Sequence, residues 1–440
     1  MKQKCKVVLL LLVAVLLLSS CSMRTAKDMY RVPKRTDNFN DLQVAIDTTM
    51  TDLEYCAPLT GENRQTVQMA DLDGDGENEY LLFAKGTQEK PLRILVFRNV
   101  NGVYQNVTTV ECNGSAFDQV EYIHMDSTGG VEIVVGRQLS NEVIRSASVY
   151  TLQDQGLVQL FSVNYSKMLP TDLDGDGQSE LFFLRPGQTD GDNGIAEVYS
   201  IKNGNVERYN EVSMSQPCDK LKRIIVGKLH GGKSAVFTAS VIDDMALITD
   251  VYTVLDGKLI NVTLSNESGT SVQTMRNFYV YADDIDLDSV VELPYLLTMK
   301  PMPGVMSADR HHLIRWYAMS VDGSEVDKVY TYHNFVGGWY MQLGSEWAPR
   351  VTVLNVGNQY EFFLWDNEYK TTQKFLTLFV LTGQSREEQG VKVDRFVLHK
   401  TDSVVYAAHL EKAAVDLGVT KESVIYNFRL IQEDWKTGET

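Results

Sequence analysis

Short apolar runs recur through the middle of the chain, and each follows a polar, mostly acidic segment. The runs at residues 80–83, 181–184 and 293–297 are too short for helices and have the length of buried strands. In each case further apolar-rich segments follow, with a turn pair such as Asn101-Gly102 between them, which is the strongest short signal for a β-hairpin. The pattern predicts a unit of four antiparallel strands.

The unit recurs along the chain at intervals of about 50 residues, with starts at residues 71, 124, 172, 227 and 284. In the first copy we assign the strands to residues 66–70, 80–83, 92–97 and 103–107. Four-stranded units that repeat at this interval are typical of β-propeller blades. We therefore predict a mainly β fold in which residues 41–345 form a β-propeller of about five to seven four-stranded blades.

Three of the units begin with an acidic nonapeptide that has carboxylates at positions 1, 3, 5 and 9. Ca²⁺ takes six to eight oxygen ligands, and such a loop can supply alternate side chains together with the carbonyl of position 7. The predicted ligands, with the seventh residue contributing its carbonyl, are Asp71, Asp73, Asp75, Glu77 and Glu79; Asp172, Asp174, Asp176, Gln178 and Glu180; and Asp284, Asp286, Asp288, Val290 and Glu292.

We predict Ca²⁺ in the first two of these loops. The third loop is a less favourable candidate, because Leu287 and Ser289 stand where the other two loops have glycine. A strand follows each loop where an EF-hand would have its bidentate glutamate and a helix, which excludes an EF-hand. The alternative that the loops are solvated acidic turns without a metal stays open.

The nonapeptide Asp-Leu-Asp-Gly-Asp-Gly-x-x-Glu, present at residues 71–79 and 172–180, resembles the loop of the FG-GAP / VCBS repeat family. That family supplies the calcium-loop propeller repeats of the integrin α-subunit head and of many bacterial surface proteins, and the resemblance covers about residues 60–345. It implies structural calcium ions in a propeller.

The amino terminus has the layout of a secretory signal. Three lysines precede the apolar residues 7–18, a stretch too short to span a bilayer. The sequence Leu18-Ser19-Ser20-Cys21 resembles the bacterial lipobox, which implies that Cys21 is lipidated. We predict a signal peptide at residues 1–20, a tether at 21–40 and an extracytoplasmic lipoprotein anchored to the membrane. An ordinary signal peptide with an incidental Cys21 is the alternative.

Charge narrows the range of partners. The formal net charge is −17, and the first 20 residues contain three lysines and no acid, so the mature chain is more negative still. Nucleic acid and anionic lipid headgroups are therefore poor partners for this acidic surface, and we expect no nucleic acid binding. Beyond the lipobox the cysteines are Cys56, Cys112 and Cys218; a Cys56–Cys112 bridge or three buried thiols are both compatible with the sequence.

From residue 346 the repeat is no longer evident. Four further strands are predicted between residues 350 and 398, and helical periodicity follows around residues 410–417, where Gly418 is a stop signal, and around 420–430. We predict a C-terminal α+β domain at residues 346–440. The alternative is that its first strands complete a sixth blade.

Recognisable catalytic motifs are absent from the sequence, and His311 and His312 would point to opposite faces of a strand. Long loops at residues 185–194 and 300–312 lie between second and third strands, where recognition often sits. Our hypothesis is a non-enzymatic binding module for protein or glycan. The alternative is an extracellular carbohydrate-active or other hydrolytic enzyme on the same scaffold, because acid pairs cannot be recognised by spacing alone.

Overall fold

The computed structural model describes residues 37–139, 145–154, 156–189, 191–202, 204–242, 246–302, 304, 311–392 and 394–431. The predicted signal peptide, Cys21 and residues 21–36 of the predicted tether lie outside this part, as do 303 and 305–310 of the long loop. The described residues form six antiparallel sheets, in sequence order apart from one late strand, which confirms the mainly β prediction. Within the described ranges, no helix is long and apolar enough to cross a membrane.

Sheets 1 and 2 follow the predicted four-strand pattern, and sheet 1 has an additional short strand at its edge. Sheet 1 contains β1 (Glu54–Tyr55), β2 (Val67–Ala70), β3 (Glu79–Lys85), β4 (Leu92–Val100) and β5 (Val103–Cys112). Sheet 2 contains β6 (Ala116–Ile123), β7 (Glu132–Gln138), β8 (Arg145–Gln153) and β9 (Gly156–Tyr165).

Sheets 3 and 4 repeat the same order of strands. Sheet 3 contains β10 (Lys167–Thr171), β11 (Glu180–Arg185), β12 (Ile195–Lys202), β13 (Asn205–Arg208) and β14 (Val212–Ser213). Sheet 4 contains β15 (Leu221–Lys228), β16 (Ser234–Ile242), β17 (Ala246–Leu255) and β18 (Lys258–Asn261). The loop between β15 and β16 spans only residues 229–233, so it is shorter than the predicted nine-residue copy that starts at 227.

Sheet 5 departs from the predicted unit. It contains β19 (Glu292–Thr298), β20 (His312–Met319), β21 (Glu325–Asn334) and β22 (Trp339–Leu343). The predicted strand before the third acidic loop is reduced to a single bridge between Asp283 and Glu292. At its opposite edge the sheet has β22 and one later strand of the chain in addition to the predicted unit.

The C-terminal region forms sheet 6 and three short helices. Sheet 6 contains β23 (Val351–Val356), β24 (Gln359–Trp365), β25 (Thr372–Thr382), β26 (Phe396–Lys400) and β27 (Val404–Leu410). The three C-terminal helices are α2 (Arg386–Gly390), α3 (Ala413–Asp416) and α4 (Lys421–Asn427). Helix α1 (Asp37–Thr49) lies at the other end of the described chain, before sheet 1. The strand β28 (Phe428–Leu430) returns to pair with β22 in sheet 5.

Strand sequences reflect their place in this arrangement. Inner strands such as β16 and β17 are buried along almost their whole length, because a neighbouring layer covers each face. In contrast, β5 alternates between exposed and half-buried positions, as expected for a strand near the surface. The apolar runs seen in the sequence are therefore the inner strands of the sheets.

Consecutive sheets pack face to face through shared hydrophobic clusters. Aromatic contacts illustrate this at four of the five interfaces, all except that between sheets 4 and 5: Phe83–Phe117, Tyr165–Phe183, Phe182–Tyr252 and Tyr332–Phe362, with ring centroids 5.0, 6.1, 5.4 and 5.4 Å apart. The cluster between sheets 5 and 6 spans the predicted domain boundary at residue 346.

Helices cover the outer faces at both ends of this series. Leu42 and Ile46 of α1 pack on Leu82 and Phe97 of sheet 1. Residues 37–40, at the end of the predicted tether, belong to this helix. At the other end, α2 lies against β25 and β27 of sheet 6.

Candidate metal centres

The three acidic loops lie where a sheet's first strand, or its remnant, leads into the second strand. In the second loop the carboxylates of Asp172, Asp174, Asp176 and Glu180 each offer an oxygen within 4.8 Å of the others. In the first loop Asp71, Asp73 and Glu79 converge in the same way, and in the third Asp284, Asp286 and Glu292. The structure thus brings together ten of the predicted side-chain ligands in three separate clusters.

Asp75 and Asp288, both predicted as ligands at position 5, stay outside these clusters. Each is exposed and accepts a hydrogen bond from the N–H two residues later, at 2.7 Å from Glu77 and 2.9 Å from Val290. The side chain of Glu77 is exposed and those of Gln178 and Val290 are half-buried. Their predicted contribution is the backbone carbonyl, which stays a prediction.

The aspartate at position 1 organises each loop. Asp172 accepts hydrogen bonds from the N–H groups of Gly175 and Gly177, at 2.7 and 3.1 Å. Asp71 accepts the equivalent bonds from Gly74 and Gly76, whereas Asp284 accepts from the N–H groups of positions 5 and 6, Asp288 and Ser289. This folds the chain into a tight turn in which alternate side chains point inward.

The third loop adopts the turn without glycine. Positions 4 and 6 have positive φ in the first two loops, where they are Gly74, Gly76, Gly175 and Gly177. Leu287 and Ser289 have φ of 65° and 72° at these positions. A side chain in this left-handed region costs about 1–2 kcal/mol, so the third loop holds its conformation under strain.

The glutamate at position 9 is buried in four loops of this type, those that precede the second strands of sheets 1, 2, 3 and 5. Glu79, Glu132, Glu180 and Glu292 each accept a hydrogen bond from the N–H of position 2, at 2.7–3.1 Å. The bond closes the loop on itself, including the copy at residues 124–132, which has His124 and Thr128 in place of the acids at positions 1 and 5.

Burial makes these carboxyl groups hard to ionise. It raises the pKa of Glu180 to about 7, although the Leu173 N–H lowers it. Burial also raises the pKa of Glu292 to about 8, and the charge of Asp286 adds to this effect. A bound divalent cation would favour the ionised forms.

Two oxygens of the third cluster are available to a cation. Asp286 Oδ1 and Glu292 Oε1 are buried and have no hydrogen-bond partner within the described residues. A buried carboxylate oxygen without a partner is costly, and a hard cation such as Ca²⁺ would satisfy both. The side chains therefore fit a divalent cation that prefers oxygen ligands.

A basic side chain from the same sheet contacts each acidic loop. Arg98 of β4 donates to Glu79 at 2.9 Å and to Asp73; Lys202 of β12 donates to Asp174 at 2.9 Å; Lys328 of β21 donates to Asp288. The sequence analysis missed these residues. They lie 19–40 residues from their partners, so only the strand register reveals them.

The loops of neighbouring sheets touch one another and form a row, which we call the loop row: residues 71–79, 124–132, 172–180, 229–233 and 284–292. A Cβ on Gly74 would come within 2.7 Å of the backbone of Gly129. The row continues through the bonds Ser179 N–His124 O and Lys233 Nζ–Asp174 O, both at 2.8 Å. The last loop bonds to the end of β15, next to residues 229–233, through Val291 N–Lys228 O at 2.9 Å.

Other residues singled out in the sequence have structural surroundings. Cys56, Cys112 and Cys218 are free thiols, so the conceivable Cys56–Cys112 bridge is not formed. His311 Nδ1 lies 3.0 Å from the hydroxyl of Tyr332. On the opposite side of the sheets from the loop row, Lys300 begins the long second-to-third loop, and its Nζ lies 4.6 Å from the centre of the Trp365 ring.

No family model and no curated protein sequence matches this chain. Among solved structures it is similar to the exotype rhamnogalacturonan lyase YesX, at 12% identity, 74% of this chain, 65% of that chain and a TM-score of 0.28. It is also similar to rhamnogalacturonan lyase YesW, at 11% identity over 72% of this chain and 83% of that chain, with a TM-score of 0.29. A third similar structure is the Bacillus licheniformis rhamnogalacturonan lyase PL11, at 12% identity over 73% of this chain and 72% of that chain, with a TM-score of 0.28. This chain thus matches less than two thirds of the first of these structures, and similarities at such TM-scores carry no argument about function.

Proposed function

We propose that this chain is a cell-surface lipoprotein whose β-sheet body is stabilised by Ca²⁺ and acts as a non-enzymatic binding module for protein or glycan. The observation that carries the proposal is the convergence of carboxylates in three loops along a single row. The lipobox at Cys21 supports an extracytoplasmic position, where calcium is plentiful.

The cations would have a structural role. Several carboxylates within 4.8 Å repel one another, and a cation that binds only this arrangement stabilises the folded chain. At a free concentration 100 times its dissociation constant, one such ion contributes about 2.7 kcal/mol. Because adjacent loops touch, each ion would also stiffen the contact between neighbouring sheets.

We also propose that the six sheets are the blades of a propeller-like body, as in the FG-GAP / VCBS repeats. The support is that sheets 1 to 5 each contain a four-stranded meander, that consecutive sheets pack face to face, and that the equivalent loops form a row. The helices on sheets 1 and 6 occupy faces that a closed ring would pack against each other, so the proposed ring is open between these sheets.

Binding is assigned to the side opposite the loop row, where the long second-to-third loops emerge. Exposed aromatic rings at such a site suit the flat faces of sugars or a protein surface. Tyr369 is 38% exposed there, and Lys300 Nζ lies 5.0 Å from its ring centre and donates to its carbonyl at 2.8 Å. This contact fixes the ring on a rigid support.

A binding role is favoured over hydrolysis by the lining of one cavity in the C-terminal region. A cavity of about 160 Å³ lies between β22, β25 and the helices α3 and α4, with Trp347, Phe375 and Val424 in its wall. None of the side chains that line it is a carboxylate, whereas glycoside cleavage generally uses two. The proposal therefore assigns no catalytic residue.

The test combines binding with product analysis. The purified full chain is applied to immobilised polysaccharides and extracellular proteins, and the same polysaccharides are sized after prolonged incubation. We expect retention on at least one ligand, weakened by Tyr369→Ala and unchanged by Tyr426→Ala, a control that is 67% exposed on helix α4. Shortened polysaccharide products would refute the non-enzymatic role.

A further inference from the structure

Arg98 reaches into the first acidic loop from the adjacent strand β4. Its Nε donates to Glu79 Oε1 at 2.9 Å and its Nη2 donates to Asp73 Oδ2. One guanidinium therefore contacts two of the three carboxylates that converge in this loop. An arginine side chain remains protonated under physiological conditions, and its planar fork matches carboxylates well. A permanent positive charge thus already lies against the proposed ligands.

Hydrogen bonds within the loop account for the rest of this cluster. The four other oxygens of Asp71, Asp73 and Glu79 accept backbone N–H groups of the loop itself, at 2.8–3.3 Å. Every oxygen of the first cluster consequently has a partner. The electrostatic need for a metal is smaller here than the sequence suggests.

In the third loop, by contrast with the first, some carboxylate oxygens have no hydrogen-bond partner among the described residues. Its basic neighbour Lys328 pairs with Asp288, which lies outside the converging cluster. Glu292 is completely buried, and its Oε1, like Asp286 Oδ1, has no hydrogen-bond partner within the described ranges. Two buried oxygens in one cluster remain to be satisfied, although this loop has the poorer match to the sequence motif.

In the second loop a basic side chain pairs with one of the converging carboxylates and, in the described part of the chain, leaves the others unpaired with a base. All four of its carboxylates converge, and Lys202 pairs with only one of them, Asp174. Among the residues that the structure describes, no ion pair engages Asp172, Asp176 or Glu180. Three carboxylates therefore face one another without a basic partner.

Strand register explains why only the first loop has this arginine. Tyr80 pairs with Phe97 in sheet 1, so Arg98 falls one position further on, beside Glu79. The corresponding residue in sheet 3 is Ser200, and in sheet 5 it is Ala318, directly opposite Glu292. Neither can supply a charge.

We propose that Arg98 takes the place of the cation in the first loop, so that Ca²⁺ loads the second and third loops and not the first. This inference rests on the proposed function, since it presumes that the other loops bind calcium. The sequence motif favours calcium in the first loop over the third, and this inference reverses that preference. The first loop is then clamped by the protein itself at any calcium concentration.

Metal stoichiometry tests the inference directly. The full chain is purified in detergent and equilibrated with Ca²⁺ alone, and bound metal is counted by elemental analysis after dialysis. We expect about two ions per chain, about one after Glu180→Gln or Glu292→Gln, and still about two after Asp71→Asn. Arg98→Met frees Asp73 and Glu79 and should raise the count to about three.

Arg185→Met is the matched control. Arg185 Nε pairs with the buried Glu197 at 2.5 Å, much as Arg98 pairs with Glu79, but its partners belong to no acidic loop. This variant should keep about two ions, and circular dichroism verifies folding in both. Three ions in the unaltered chain, one of them lost on Asp71→Asn, would overturn the inference. A chain that binds no ion in any variant would instead overturn the proposed function itself.

Discussion

Removing the side chain of Ser289 should improve calcium binding by the third loop. Ser289 is exposed, and its φ of 72° is one that only glycine adopts without strain. The strain costs about 1–2 kcal/mol. Glycine has more conformational freedom to lose when the empty loop becomes ordered, and this reduces the benefit of the substitution by about 0.5–1 kcal/mol. We expect the empty loop to relax, because its carboxylates repel one another. Ser289→Gly should therefore strengthen binding about three- to fivefold, for a net gain near 1 kcal/mol.

Gly177→Ala provides the reciprocal change in the second loop. Gly177 occupies the same position with φ of 88°, and a Cβ there would meet nothing within 4 Å, so the substitution adds backbone strain without a clash. Affinity should fall by a similar factor. Competition with a fluorescent chelator measures both, with Glu180→Gln isolating the third loop and Glu292→Gln the second. If the two variants leave affinity unchanged or shift it in the same direction, the strain argument is wrong.

Three further predictions follow from other parts of the chain. Chelation should lower the thermal unfolding midpoint of the full chain, and calcium should restore it; a midpoint indifferent to both would contradict a structural ion. Burial lowers the pKa of His333 from about 6.5 to about 3. As the pH falls below 6.5, the unfolded chain therefore binds a proton at this residue that the folded chain does not, and the free energy of unfolding decreases by about 1.4 kcal/mol per pH unit. His333→Phe should therefore reduce the difference in urea midpoint between pH 7 and pH 5. Cys21→Ser should move the protein out of the membrane fraction or leave unprocessed precursor, and a processed variant that stays on the membrane would refute lipid anchoring.

The repeat and its loops were accessible from sequence because they depend on local chemistry. Turn glycines, alternate aspartates and short apolar runs predict the starts of β2 to β5 to within one residue, although β3, β4 and β5 extend beyond their predicted ends. The carboxylates of the loop at residues 172–180 converge as expected. Asn101 even adopts the positive φ, 54°, that its hairpin turn requires. Local signals thus determined the spacing of the units and the identity of most cluster residues.

Contacts between distant segments were not accessible. Arg98 is set beside Glu79 by strand register, and nothing in the spacing of the two residues signals it. The strand β28 pairs with β22 of sheet 5 although all of sheet 6 lies between them in the sequence. The strand β27 was not predicted, and it ends at Leu410, where helical periodicity was expected to begin. In each case tertiary packing, which sequence periodicity does not encode, decides the outcome.

The most direct test of the account is a structure from crystals grown in calcium, with anomalous scattering used to locate the metal. The account predicts one peak among Asp172, Asp174, Asp176 and Glu180 and one among Asp284, Asp286 and Glu292. At the first loop it predicts the guanidinium of Arg98 against Asp73 and Glu79 with no peak. Clusters at the second and third loops that contain only water would contradict the central claim that these carboxylates hold cations.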